Sequence, residues 1–382
     1  MLLVRQKKKI FLVMRMNLKL NNYNLRVAEK KKSRLLRTLG PGLITGAADD
    51  DPSGIATHSQ AGAAFGYGQL WALSVCLPLM IAVQEASARI GLATGHGLAK
   101  AATKRYSKKI VYFMVFLILI ANTINIGADI AAVGAALQLL IPIPILILSS
   151  VFTILVLFLE IFVGYHAYAK FLKVLSLSVL SYAVTAFLVN EPWREIIVAT
   201  FVPQIQFNTE YLYVIVAIFG TTISPYMFFW QAAEEVEELD YAKKVNKSIR
   251  TIKELRIDTF IGMLFSIVGS WFVVVTTATV LNKNGITNIN TAADAAKALE
   301  PLVQTFPNAG VIAKAIFAIG VIGMGLLGIP VLAGSASYAV SETFGLNAGL
   351  DKKAWEAKGF YSVIVVSTLI GFLMTLVGID PI

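Results

Sequence analysis

The sequence predicts an all-α polytopic membrane protein, and three observations carry that prediction. Apolar residues make up 57% of the 382 residues and charged residues only 15%, against about a quarter charged in soluble chains. Apolar stretches long enough to cross a bilayer core recur along nearly the whole chain. Two of those stretches are interrupted in the middle by polar, helix-breaking residues.

Nine spans can be read, at about 41–64, 70–92, 109–139, 145–163, 171–189, 212–236, 257–281, 309–341 and 361–379. Their orientation follows from the basic residues. The tail to Arg37 holds twelve Lys and Arg, and most of the rest lie in the loops after spans 2, 4, 6 and 8. The opposite loops contribute Arg194, Lys283 and Lys297, and the tight turns at 65–69 and 141–144 carry no charge. The positive-inside rule therefore predicts a multi-pass protein of the plasma membrane with a cytoplasmic N-terminus. The same alternation accounts for the net charge of +10 with the lipid bilayer as partner and no nucleic acid. Residues 1–39 read as a basic cytoplasmic tail whose apolar run from Ile10 to Met14 is too short to span a membrane. Residues 40–382 read as one integral membrane domain.

The sequence excludes several chemistries. Cys76 is the only cysteine and lies in the second span, so no internal disulfide can form. His58, His96 and His166 do not have metal-ligand spacing, so zinc-enzyme chemistry has no support. No catalytic residue and no cofactor are expected.

The first broken span runs Gly40-Pro41-Gly42 to Ala48, meets Asp49, Asp50, Asp51, Pro52, Ser53 and Gly54, and resumes at Ile55. The sixth reads Gly220-Thr221-Thr222-Ile223-Ser224-Pro225-Tyr226 and resumes as an aromatic run to Trp230. Proline removes a backbone donor and frees carbonyls that lipid cannot satisfy, so each break must line a cavity. Breaks in spans 1 and 6 are five spans apart, an odd number, which makes the second repeat inverted. This is the pattern of a leucine-transporter-like inverted repeat with its site at the bilayer midplane. The first repeat covers about 40–189 and the second about 212–382. The architecture needs about ten core helices, the ninth span is the last one read, and the expectation is therefore a fragment.

Buried carboxylates in a membrane helix cost about 2.5–3.5 kcal/mol each, so the three aspartates require a purpose. Asp51 abuts Pro52 where the helix opens and is the first candidate for a cation ligand, with Asp50 second. Half-helix C-termini offer bare carbonyls and negative partial charge, which also suits a cation. The competing role is capping of the half-helix that resumes at Ile55, and one residue can do both. In span 3, Asn122, Asn125 and Asp129 share one helical face. That stripe points inward, bordering an ion path or hydrogen-bonding a neighbouring helix. Glu85 and Arg89 form an ordinary i, i+4 pair. The run Glu234, Glu235, Glu237, Glu238 and Asp240, followed by Lys243, Lys244 and Lys247, reads as a solvated, self-paired face.

These motifs resemble the NRAMP family, and more closely its branch of NRAMP-related magnesium transporters. Gly40-Pro41-Gly42, Asp51-Pro52-Ser53-Gly54, Ala56-Thr57 and Gln60-Ala61-Gly62-Ala63 are similar to the family's first helix. The resemblance implies that Asp51 is the metal-binding Asp, while the family's metal-binding Asn falls on Gly54 and is lost. It also implies that the metal-binding Met becomes Ser224, that the proton-linked His becomes Tyr226, and that Thr221 takes the place of a carbonyl ligand. Asp129-Ile130-Ala131-Ala132 keeps the acid at 129 and lacks the family's second acid at 132.

A thioether favours transition metals over hard cations, so its loss predicts Mg²⁺, held mainly through water by Asp51 and backbone carbonyls near Ala48 and Thr221. Asp129, Asn125 and Tyr226 would border the site or a proton path, and uptake without protons is expected. The alternative is a proton-coupled Mn²⁺ or Fe²⁺ importer of the ordinary family kind. An amino-acid carrier is disfavoured by the acidic break. An intramembrane aspartyl protease pairing Asp51 with Asp129 would leave Pro52 and Pro225 unexplained.

Overall fold

The computed structural model of the chain describes residues 40–163, 180–189, 191–244, 249–289, 292–297, 299 and 308–376. The basic tail 1–39, His166, Lys247, the first part of the fifth span and the end of the ninth lie outside the described residues. Every regular element among the described residues is a helix, and seven of the helical stretches are long and apolar enough to cross a membrane.

The first expected span is two half-helices, α1 (Pro41–Asp49) and α2 (Pro52–Phe65). One turn of 3-10 helix, Gly66–Gln69, makes the tight turn into α3 (Leu70–Thr94). The short α4 (Leu98–Thr103) leads into α5 (Lys108–Gln138) and α6 (Ile145–Phe162). Of the fifth span, α7 (Leu180–Leu188) is described. The segment around Arg194, expected as loop, contains α8 (Trp193–Phe201), because Ile196, Ala199 and Thr200 recur at helical spacing and are buried. The sixth span is again two half-helices, α9 (Thr209–Thr222) and α10 (Pro225–Lys244). α11 (Ile252–Val280), the short α12 (Ala292–Lys297), α13 (Ala309–Phe344) and α14 (Lys358–Leu376) complete the order.

Helix ends follow local chemistry. Thr251 and Glu254 form a capping box at the start of α11, and the Asn208 side chain accepts from Tyr211 N to start α9. Helix α5 shows how the bundle is oriented in lipid. Ile110, Phe113, Leu117, Ile120 and Ile124 lie on its exposed face, while Val111, Val115, Ile118, Asn122, Ile126 and Asp129 are buried. A single helix thus presents a greasy face outward and its polar stripe inward.

The half-helix α1 is fastened to α11 along one row of residues spaced by four, Asp258, Gly262, Ser266 and Ser270. Such rows form the ridges by which helices pack. At the start of the row, Asp258 Oδ2 accepts from Gly42 N at 2.8 Å and Oδ1 from Leu43 N at 3.2 Å, capping the first turn of α1. Next, Gly46 and Gly262 bring the two backbones together, and a Cβ on either would overlap the facing helix. Then the Ser266 hydroxyl donates to Asp49 Oδ2, and Ser270 Oγ donates to Asp50 Oδ1 at 2.8 Å.

Arg250, just ahead of α11, closes this end of the bundle. Its Nη2 lies 2.8 Å from Asp258 Oδ2 and its Nη1 3.2 Å from Glu235 Oε1 on α10. Burial works against its charge, but the Glu235 and Asp258 carboxylates more than offset that and hold the guanidinium charged.

Two outcomes follow for the purified protein in detergent. Gly262→Ala forces a methyl into the α1–α11 contact and should destabilise it by about 1–3 kcal/mol. Arg250→Met leaves two buried carboxylates without their cation and should cost about 3–5 kcal/mol. Thermal unfolding that matches the wild type in either variant would show that the corresponding contact does not hold α1 in place.

Candidate functional site

Helix α2 restarts in mid-span, so the donors of its first turn need partners from within the protein. Pro52 at the first helical position has no N–H. Ser53 N donates to Asp129 Oδ1 at 3.0 Å, Gly54 N to Asp51 Oδ1 at 2.7 Å, and Ile55 N to Asp51 O at 2.9 Å. Ser53 Oγ adds a bond to Asp51 Oδ1 at 2.7 Å. Asp51, with φ −66° and ψ 167°, is therefore the N-cap, and Asp129 reaches from α5 to assist it. Both carboxylates sit at the positive end of a half-helix dipole.

The break between α9 and α10 closes on itself differently. Ser224 Oγ lies 2.7 Å from Thr221 O and 2.9 Å from Gly220 O, so its hydroxyl reaches the Thr221 carbonyl that Pro225 leaves bare. Tyr226, in the first turn of α10, carries its hydroxyl across to the other break. Its Oη lies 3.2 Å from Ala48 O and 3.3 Å from Asp51 Oδ2. Gly54 lies where the two breaks meet. A Cβ there would stand 3.2 Å from Asp49 O, 3.2 Å from Asp51 Oδ1 and 3.3 Å from Thr221 Oγ1, a small space ringed by three oxygens. Gly328 of α13 forms the opposite wall, since a Cβ on it would be 2.9 Å from Asp51 Cβ and 3.6 Å from Asp129 Oδ2.

Asp51, Ala48, Gly54, Thr221, Tyr226 and Asp129 thus converge, drawn from five different helices and the break itself. Ser224 faces its own helix. Asp50, expected as a second ligand, directs Oδ1 at Ser270 on α11 instead. Asn122 Nδ2 donates to Leu332 O at 2.9 Å and Ser335 Oγ at 2.8 Å on α13, so it joins helices. Asn125 is half-buried and bonds to none of the site residues. Among the described residues, no three His, Cys, Asp or Glu side chains are placed to hold a metal. Any cation here would take Asp51 with carbonyls, hydroxyls and water.

Several groups at the site carried weaker sequence signals. His58 lies one turn into α2 with Nδ1 2.8 Å from Gly54 O and Nε2 3.4 Å from Thr222 Oγ1, linking the two broken helices with no metal cluster around it. Ala132 lines an apolar cavity of about 20 Å³ with Pro52, Ile55, Phe317 and Val321, and none of the described residues lining it is an acid.

The acidic run on α10 corrects the expectation of a solvated face. Glu234 and Glu235 are 3% and 1% exposed. Glu235 pairs with Arg250, and Glu237 accepts from the Tyr338 hydroxyl and from Leu350 N. The Asp240–Lys243 pair, 3.2 Å apart, is exposed as expected. The run is periodic enough to turn Glu234 inward together with Trp230 and Tyr226, which mere charge counting missed. Glu85 does pair with Arg89, and also accepts from Arg256 Nε at 2.9 Å.

Comparison with known proteins places this geometry. The profile of the family described as natural resistance-associated macrophage protein-like matches residues 42–382. The divalent metal cation transporter MntH of Caldanaerobacter subterraneus subsp. tengcongensis is 25% identical over 276 residues, covering 72% of this chain and 65% of the relative. The protein of the same name from Agrobacterium fabrum is 24% identical over 275 residues, covering 71% and 59%. The one from Listeria monocytogenes serotype 4a is 26% identical over 319 residues, covering 80% and 69%. The chain thus spans about three fifths to two thirds of the length of these curated relatives. A crystal structure of the Eremococcus coleocola manganese transporter superposes with a TM-score of 0.70 at 18% identity, covering 90% of this chain and 70% of that one. At that identity the likeness speaks for the fold. The match over residues 42–382, most of the chain, shows that it belongs to the natural resistance-associated macrophage protein-like (Nramp) family.

Proposed function

We propose that this protein carries divalent metal cations across the membrane by alternating access, with the cation held at the meeting of the two helix breaks. The observation that carries the reading is the gathering of Asp51, the Asp49 carbonyl and the Thr221 hydroxyl around Gly54, with the Ala48 carbonyl and Asp51 Oδ2 both facing the Tyr226 hydroxyl. Carboxylate, carbonyl and hydroxyl oxygens gathered in a buried place suit a hard dication.

Manganese is the favoured substrate. The relatives are named divalent metal cation transporters, and the structural neighbour is a manganese transporter. The magnesium preference expected from the sequence finds no support in those names. Carboxylate, carbonyl and water suit Mn²⁺ as well as Mg²⁺, so loss of the thioether does not by itself select magnesium. Magnesium stays as a second reading because Ser224 offers no soft ligand.

Uptake runs into the cytoplasm across the plasma membrane, the direction in which the membrane potential drives a cation. A dication moving inward gains about 4.6 kcal/mol per 100 mV of membrane potential, twice the single-charge figure. That gain is large enough to drive uptake without a coupled proton, and Tyr226 and Ala132 stand where the resemblance implies a His and an acid.

Transport of Mn²⁺ and Mg²⁺ by the full-length protein in liposomes, read with a pH dye inside, tests the proposal. Asp51→Asn is the informative variant, because Asn caps a helix about as well as Asp and only the charge is lost. The expected outcome is saturable Mn²⁺ uptake in the wild type and at least about a tenfold loss in the variant, about 1.4 kcal/mol. Uptake that is indifferent to Asp51→Asn would move the site elsewhere. Preference for Mg²⁺ over Mn²⁺ would reinstate the second reading.

A further inference from the structure

Three oxygens gather where the first break opens, namely Ala48 O, Asp51 Oδ2 and Tyr226 Oη. Their proton count is short. A phenol has one hydrogen to donate, and a backbone carbonyl and an ionised carboxylate have none. Tyr226 therefore cannot satisfy both neighbours at once. Its two distances, 3.2 and 3.3 Å, exceed the usual O–H···O spacing of about 2.7–2.8 Å. Tyr226 is 2% exposed, Asp51 2% and Ala48 1%, so bulk water does not make up the deficit. A buried acceptor-rich group of this kind is completed by a cation.

Tyr226 also has little freedom to leave. It follows Pro225 in the first turn of α10, and its buried ring moves only with that half-helix. The phenolic oxygen thus faces the same carboxylate and carbonyl for as long as the two breaks stay together.

The geometry points to Tyr226 as a direct ligand and specificity-determining residue of the transport site, its hydroxyl supplying the third hard oxygen beside Asp51 and Ala48. This rests on the proposed transport function and deepens it. The spacing further limits the ion. An octahedral edge is longer than the metal–oxygen distance by the square root of two, so Mg²⁺ needs edges of about 2.9 Å and Ca²⁺ edges of about 3.3–3.7 Å. Edges of 3.2 and 3.3 Å seat a hard dication larger than Mg²⁺ with little movement. An oxygen at this position also disfavours soft ions, which gain from sulfur ligands instead.

The test is transport by the full-length protein in liposomes, with KM measured for hard Mn²⁺ and soft Cd²⁺, and thermal unfolding as the control for folding. Tyr226→Phe should raise the KM for Mn²⁺ about tenfold or more while leaving that for Cd²⁺ within about threefold. Tyr226→Met should turn the preference towards Cd²⁺, which a residue that only packs would not do. Equal loss of both ions in both variants assigns Tyr226 a packing role and overturns the inference, as does Mn²⁺ transport unchanged in Tyr226→Phe. If the wild type moves neither ion, the transport function itself fails and the ligand role with it. A wild type that transports beside an indifferent Tyr226→Phe refutes the ligand role alone.

Discussion

Lipid offers no partner to a backbone N–H, so the restart of α2 in mid-span dictates much of what surrounds it. Its first-turn donors are met by Asp51, by Asp129 from α5, and by the backbone carbonyl of Asp51. Those same bonds fix where the carboxylates stand. Asp51 Oδ1 is held by the cap, which leaves Oδ2 turned towards Tyr226 and the second break. Asp129 gives one oxygen to Ser53 N, while its Oδ2 is buried with no hydrogen-bond partner. Capping and the proposed cation binding are thus compatible in one arrangement, because each carboxylate carries more acceptor sites than the helix needs.

The other two aspartates of the triplet serve a different end. Asp49 and Asp50 are engaged by Ser266 and Ser270, in the row on α11 that begins with Asp258 and passes through Gly262. The row meets α1 at its N-terminus, its middle and its C-terminus, so the half-helix is held along its whole length. Three consecutive carboxylates in a membrane helix are costly, and here Asp49 and Asp50 turn to α11 while Asp51 turns to the break. Polar pairs between membrane helices are individually modest, about 0.6 kcal/mol on average. The close backbone approach at Gly46 and Gly262 lets several act together.

Much of this was legible in the sequence because it depends on local rules. Proline in an apolar span marks a break wherever it is found, and the spacing of Asn122, Asn125 and Asp129 gives a face without reference to a partner. Asn122 and Asp129 are indeed buried. What could not be read was which neighbour each polar group meets. Asp50 and Asp51 are adjacent in sequence, and only the packing of α11 against α1 separates their roles. Arg250 looked like one more cytoplasmic charge, yet its 16% side-chain exposure and two carboxylate partners make it a joint between α10, α11 and α1. The acidic run on α10 failed for the same reason, since charge patterning does not reveal that Tyr338 on α13 and Arg250 just ahead of α11 face it.

The two breaks also differ in how they satisfy themselves, and that difference gives the site its character. At the sixth-span break, Ser224 folds its hydroxyl onto the carbonyls of its own helix, so that side arrives at the site largely self-contained. At the first-span break, the carbonyl of Ala48 lies in the last turn of α1, four residues ahead of Pro52, which has no N–H to give it, and it shares the Tyr226 hydroxyl with a carboxylate. One half of the site is therefore closed and the other is short of positive charge. Under the proposed function an incoming dication would complete the deficient side, and because the completing oxygens come from α1, the break and α10, its binding would hold the two broken helices together. On that proposal the oxygens alone would couple occupancy to helix position.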